Sequence, residues 1–291
     1  MGIGRQVLNL TLSLFKDQQF KDFKSVVELG SQDIHGVSGF EVATVMNQAL
    51  GVLPPQDADS IDAEWFYKKL GFEKYKCIDM DGRHNALAFN LNEDISLKYG
   101  FKEKFDLVTD HGTTEHCFDQ FNVFRNAHNL CAKGGIMIHG LPFQGHINHG
   151  LFQYQPALFD ALAAANNYQI IGIYLNINSG TGDISTYSNE LMKYIKMEFG
   201  TTNCMLLVVM KKIDDQEFKI PYDGMYFEWP DAQKTRFTKT PIRYFPTDHY
   251  QIDPLKIVNC LPSKTLLRLV AGRIYHRSKA WLKNGGERVK S

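Results

Sequence analysis

The stretch Ser25-Val-Val-Glu-Leu-Gly-Ser-Gln-Asp-Ile-His-Gly36 constrains the fold of this 291-residue chain more than any other. Apolar and β-branched residues run through Glu28 into Gly30, which reads as a buried parallel strand ending in a turn that needs a permissive backbone. In open α/β sheets small molecules lie outside the carboxyl ends of the strands, so this turn predicts a ligand crevice with Glu28 at its edge. A nicotinamide-binding loop does not fit, because that fingerprint uses Gly-x-Gly-x-x-Gly to close the backbone on a pyrophosphate. Here Gln32 occupies the second glycine position, Gly36 comes too late, and Ser31 to His35 is bulky and polar. The turn suits a ligand without phosphates.

The flanking chain reads as alternating strands and helices. An amphipathic lead-in helix is expected from about residue 6 to 23, and Phe40, Val42, Ala43, Val45, Met46 and Leu50 mark a helix over 39–50. Pro54-Pro55 breaks it, and Ile61, Trp65, Phe66 and Leu70 give a second helix ending at Gly71. Lys74 to Asp79 is a second strand, whose terminal carboxylate can accept two hydrogen bonds from a ribose diol. Ala86 to Asn92 is expected as a third strand, and Phe105 to Asp110 as a fourth leading into Asp110-His-Gly-Thr-Thr-Glu-His116. A fifth, Ile136 to His139, follows Lys133-Gly-Gly135, and a polar loop, Gly140 to Gln155, precedes a helix from Pro156 to Asn166. Tyr168 to Leu175 and Asn203 to Lys211 complete seven strands, with an insertion over 176–202 between them.

A glutamate-ending first strand, an aspartate-ending second, Asn-Leu after the third and Gly-Thr-Thr-Glu-His after the fourth together resemble class I S-adenosylmethionine-dependent methyltransferases, in the variant with Glu-Leu-Gly-Ser-Gln-Asp as its first motif. The resemblance spans roughly residues 23 to 210. It implies a Rossmann-like, seven-strand α/β sheet with helices on both faces, an N-terminal helix and a C-terminal elaboration, divided as a methyltransferase domain at 1–212 and an elaboration at 213–291. It also implies S-adenosylmethionine as cofactor, held by Glu28, Gly30, Ser31, Gln32, Asp79, Asn90, Leu91 and Asp110, with Asn90 and Leu91 near the adenine. His-Gly-Leu-Phe-Gln-Tyr-Gln-Pro, residues 149–156, resembles a segment that contributes to the acceptor pocket in these enzymes.

Methyl transfer is an in-line displacement, so the protein must hold an acceptor lone pair on axis and, for an alcohol, remove its proton. Histidine is the natural base near neutral pH. Among His111, His116, His139, His146 and His149, the expectation falls on His149 as catalytic base, with His116 second, and on Glu115, His146 and Tyr154 as acceptor-binding residues. A metal is not expected, since beyond Asp110 and Glu115 the loop offers no carboxylate and its His-x-x-His spacing is not a zinc pair on a helix face. The expected activity is O-methylation of a small polar metabolite or sugar unit. A non-catalytic cofactor-binding or scaffold protein and a metal-dependent O-methyltransferase are the alternatives.

Charge bounds the partners. Lys plus Arg and Asp plus Glu are 32 each, and no Asn/Asp-Pro-Pro-Tyr/Phe motif occurs, so no nucleic-acid partner is expected. From Lys264 onward eight basic residues face Glu287 alone, on an amphipathic pattern with Leu266, Leu267, Val270, Ile274 and Trp281. That pattern fits docking on the domain or a homo-oligomer interface. Five scattered cysteines without a Cys-x-x-Cys pair, the lack of a convincing signal peptide and the absence of a membrane-length apolar run lead to the expectation of a cytoplasmic protein without a membrane span.

Overall fold

A computed structural model of the chain describes residues 2–51, 61–176, 184–187 and 203–222. In chain order these form α1 (Arg5–Lys16), β1 (Ser25–Leu29), α2 (Gly39–Leu50), α3 (Ala63–Lys69), β2 (Lys74–Ile78), α4 (Ile95–Tyr99), β3 (Phe105–His111), α5 (Gln120–Leu130), β4 (Cys131–Gln144), α6 (Pro156–Asn166), β5 (Tyr168–Asn176), β6 (Ser185–Thr186) and β7 (Cys204–Lys212). One sheet runs in the order β2-β1-β3-β4-β7-β5-β6. The first four strands in that order are mutually parallel, and β7 is antiparallel to both β4 and β5.

The strands are buried on both faces, as sheets covered by helices on two sides must be. Val27, Leu29, Phe105 and Val108 pack with Val123, Phe124 and Phe159 of α5 and α6. Val26, Leu107, Ile136 and Val209 pack with Val7, Leu8, Met46, Phe66 and Tyr67 of α1, α2 and α3. The helix ends follow local chemistry: Ser38 and Glu41 form a reciprocal capping box at the start of α2, and Gly51 ends that helix in the left-handed region. The Asp62 side chain caps α3 by accepting from the Trp65 amide.

The sheet differs from the sequence reading in its strands. Residues 86–92 do not form a sheet strand and contribute one isolated bridge, Ile78 to Leu87. The Asn90 side chain accepts from the Asn92 amide at 3.0 Å, and the Asn126 side chain donates to the Leu91 and Glu93 carbonyls. These bonds turn the chain toward α4 instead of along the sheet. Among the described residues six strands of five or more residues remain, and the two-residue β6 is the seventh. β4 begins before Lys133-Gly-Gly135 and continues through Pro142 to Gln144, so part of the anticipated polar loop is strand paired with β7. The lead-in helix stops at Lys16, short of residue 23, and turns follow it, with positive φ at Gln18 and Asp22.

Residues 213–222 start the anticipated C-terminal elaboration and pack against the helices. The Lys219 amide donates to Asn166 Oδ1 at 2.7 Å, Asn166 Nδ2 donates to the Lys219 carbonyl at 2.9 Å, and His128 Nε2 lies 2.8 Å from the Gln216 carbonyl. The rest of that elaboration, including the basic amphipathic segment, lies outside the described residues, as does most of the 176–202 insertion. Among the described residues no helix is long and apolar enough to cross a membrane.

Candidate active site

The turn after β1 sits on the turn after β3. Gly30 has φ +85°, and a Cβ there would come within 2.0 Å of Thr113 Oγ1, so both backbone conformation and space require glycine. Gln32 ties the two turns together, its Nε2 donating to the Leu29 carbonyl at 3.0 Å and to Thr113 Oγ1 at 3.2 Å. Asp79 stands beside this turn, just beyond β2. Its carboxylate accepts from the Ser31 amide at 3.0 Å and the Asp81 amide at 3.3 Å. A carboxylate has about four lone-pair sites, so a half-buried Asp79 keeps capacity for a diol. Ser31 Oγ donates to the Arg83 carbonyl and lies 2.8 Å from His84 Nδ1, which fixes the outer wall of the crevice.

Other residues expected to hold a cofactor are placed beneath or beside that crevice. Glu28 is fully buried, with Tyr75 donating to its Oε2 at 2.7 Å, and burial pushes its carboxyl up to about 8. It braces β1 against β2 and does not project into the crevice, a correction to the sequence reading. Asp110 is likewise fully buried. Burial favours its neutral form, but the His139 imidazole 2.9 Å away and the Thr114 hydroxyl and amide outweigh that effect and hold it below the usual carboxylate range. Its work is to fix the turn after β3. Asn90 spends its side-chain oxygen on Asn92, and Leu91 is buried.

Beyond β3 the chain makes a tight turn, Thr114 to His116, and beyond β4 a hook, residues 145–151. The two are stitched together. The Leu151 amide donates to the Glu115 carbonyl at 2.8 Å, and a Cβ on Gly150 would lie 2.8 Å from Glu115 Cγ, so only glycine allows this approach. His146 and Asn148 both adopt positive φ, which curls the hook and carries His149 over Glu115. His149 Nε2 is 3.6 Å and His116 Nε2 3.9 Å from Glu115 Oε1, and the rings of His116 and His149 are 5.3 Å apart. Glu115 is wholly buried, and among the described residues neither carboxylate oxygen has a hydrogen-bond partner. Burial and the nearby Asp110 charge push its carboxyl up to about 8, and burial holds His149, His116 and His146 below the ordinary imidazole value.

The structure therefore brings Glu115, His116, His146 and His149 together. It separates Tyr154, which is buried beside Phe124 and Phe159 with its hydroxyl donating to Gln120 Oε1 at 2.7 Å. Tyr154 supports the hook from inside the core and does not line an acceptor pocket, a second correction. His139 holds Asp110, as a core residue.

A cavity of about 350 Å³ adjoins the hook, lined by His146, His149, His111 and Gly140 on one side and by His35, Arg5 and Gln6 on the other. His111 is 2% exposed, and among the described residues neither ring nitrogen has a hydrogen-bond partner; burial lowers its pKa to about 4, so it is neutral. Gly140 leaves room for that ring, since a Cβ there would lie 3.0 Å from His111 Nδ1. Sequence reasoning weighed His111 as a base and passed it over, and it missed Arg5, Gln6 and His35 altogether. The N-terminal segment reaches the cavity because Ile3 bridges Ile34, its amide donating to the Asp33 carbonyl at 2.9 Å. That pairing joins residues thirty apart, and no local pattern signals it.

No family model and no curated protein matches the sequence. Solved structures do show similarity. The N-methyltransferase NodS from Bradyrhizobium japonicum, in complex with S-adenosyl-L-homocysteine, is 12% identical over 72% of this chain and 89% of its own, with a TM-score of 0.40. A putative sarcosine dimethylglycine methyltransferase from Galdieria sulphuraria is 10% identical over 72% and 85%, with a TM-score of 0.41. An O-methyltransferase from a polyketide synthase multienzyme of Brevibacillus brevis, also in complex with S-adenosyl-L-homocysteine, is 13% identical over 72% and 73%, with a TM-score of 0.37.

Proposed function

We propose that this chain is an S-adenosylmethionine-dependent methyltransferase acting on an oxygen of a small polar metabolite or sugar unit. The observation that carries the reading is the arrangement along one sheet edge. A half-buried Asp79 carboxylate beside the Gly30 turn stands at the ends of β1 and β2, and a histidine cluster next to a cavity stands at the ends of β3 and β4.

The cofactor would lie against Gly30, Ser31 and Gln32, with Asp79 accepting from its ribose, and it supplies a methyl group on a positively charged sulfur. The rest of the chemistry falls to the chain. The cavity's volume of about 350 Å³ suits a small acceptor, since small-molecule pockets run from roughly 300 to 1,000 Å³. Neutral His111 and the Arg5 guanidinium offer polar anchors for hydroxyl groups. His149, with His116, promotes loss of the acceptor hydroxyl proton, while the hook and the N-terminal segment limit water. A non-catalytic binding protein is the second reading, since a ribose-holding carboxylate favours binding without requiring turnover.

A ligand that binds only the native state raises its melting temperature. S-adenosylhomocysteine should therefore stabilise the protein in a concentration-dependent way, and an unchanged melting curve at millimolar ligand would remove the proposal. With an acceptor in hand, His149→Gln should cost ~10²–10⁴-fold in turnover, the range for a positioned proton-transfer group. Its S-adenosylhomocysteine affinity should stay within a few-fold of the parent. Full turnover in His149→Gln would take this residue out of the chemistry.

A further inference from the structure

Glu115, His116 and His149 form a group whose purpose ordinary packing does not explain. One carboxylate oxygen and two imidazole nitrogens all lie within 4.8 Å of one another. Glu115 is completely buried, and among the described residues both of its oxygens lack a hydrogen-bond partner, as does His149 Nε2. Burying a carboxylate without a partner is costly, and native proteins meet that cost with a proton, a counter-charge or a metal ion. The His149 and His116 ring nitrogens stand 3.6 and 3.9 Å from Glu115 Oε1, too far for hydrogen bonds. In tetrahedral coordination two donor atoms, each ~2.0–2.2 Å from one ion, stand roughly 3.3–3.6 Å apart. The observed separations are within a small side-chain adjustment of that spacing.

We infer that Glu115, His116 and His149 bind a divalent first-row transition metal ion at the acceptor end of the crevice. This deepens the methyltransferase reading and rests on it for the role of the ion. Two imidazoles with one carboxylate suit the manganese-to-zinc series, whereas magnesium and calcium prefer all-oxygen sets. The site is rigid where it must be, because Gly150 and the Leu151 amide clamp the hook onto Glu115. It is also reachable: the side chains of His116 and His149 are 47% and 32% exposed, so an ion can enter and coordination positions remain for water and an acceptor oxygen.

Such an ion polarises the acceptor hydroxyl and lowers its pKa. The hydroxyl proton leaves to water, the oxygen lone pair forms the new O–CH3 bond, and the S–CH3 bond breaks with its electron pair remaining on sulfur. The two histidines then act on the acceptor proton through the ion they hold. The sequence reading counts Glu115 but does not expect a metal, because the hook itself adds no carboxylate and its His-x-x-His spacing is not a zinc pair on a helix face. The carboxylate comes from the turn after β3, and the fold brings it under the hook.

The test uses the full chain, stripped with a chelator and re-equilibrated with zinc, manganese or cobalt. Near-stoichiometric metal by elemental analysis, a visible absorption band with cobalt and a metal-dependent rise in melting temperature are expected. Glu115→Gln and His149→Gln should each weaken cobalt affinity by about tenfold or more. His84→Gln, at the far end of the crevice, should leave it unchanged. His149 is partly exposed, so its variant remains informative if removing the buried Glu115 disturbs folding. S-adenosylhomocysteine affinity is measured on the same samples. Affinity for that ligand without stoichiometric metal, or cobalt affinity untouched in both variants, overturns the metal site while the methyltransferase reading stands. Metal binding without S-adenosylhomocysteine binding overturns that reading instead.

Discussion

Glu28 shows how one side chain can be legible in kind and misjudged in direction. Its place at the end of the first strand was plain, and the crevice was the natural destination for a carboxylate there. Side chains alternate along a strand, however, so Glu28 shares the face of Val26, which packs with Phe66 and Tyr67 of α3. That face is covered, and Tyr75 supplies the hydrogen bond. With a folded-state pKa raised to about 8, Glu28 stays protonated in the native state after it would ionise in the unfolded chain. Its contribution to stability is complete below about pH 4 and is lost as pH rises through about 8. Glu28→Gln should therefore be close to neutral near pH 4.5 and stabilising at pH 9 relative to the parent, as thermal melts at the two pH values would show. Equal effects at both would mean that the carboxyl is ionised in the native state.

At the scale of elements, the strands and helices that were legible are those whose signal is local. The continuous apolar run of β7 and the helical spacing of Phe40, Val42, Val45, Met46 and Leu50 in α2 needed no tertiary knowledge. Residues 86–92 also carried a strand-like pattern, but Asn90 and Asn126 redirect the backbone, and a partner 35 positions away in sequence cannot be read from periodicity. The end of β7 supplies another such contact. Lys212 is 1% exposed, and its ammonium donates to the His128 carbonyl at 2.9 Å and the Cys131 carbonyl at 3.1 Å, satisfying groups at the carboxyl end of α5. Asp215 pairs with it at 3.0 Å. Lys212→Met should leave those carbonyls unpaired and cost ~1–3 kcal/mol in denaturant unfolding. A loss within error of zero would show that α5 does not depend on this cap.

Across the whole molecule, the sheet order places two chemically different ends on one edge. The turns after β1 and β2 offer Asp79 and a glycine-shaped seat, and the turns after β3 and β4 offer Glu115, His116 and His149. The turns proposed to hold the cofactor stand out in the sequence because each follows directly from a strand. The end proposed to take the acceptor is legible only as a list of histidines, because its geometry depends on the hook closing over Glu115 and on the N-terminal segment pairing with Ile34. The division of labour between the two ends is the central claim. Calorimetric titration of S-adenosylhomocysteine into the parent protein, Asp79→Ala and His149→Ala tests it most directly. The account predicts a single site, weakened about tenfold or more in Asp79→Ala, as expected when a hydrogen bond to a charged group worth ~1.5–3 kcal/mol is lost, and nearly unchanged in His149→Ala. An Asp79→Ala protein that binds as tightly as its parent, or a parent that gives no heat at all, would contradict it.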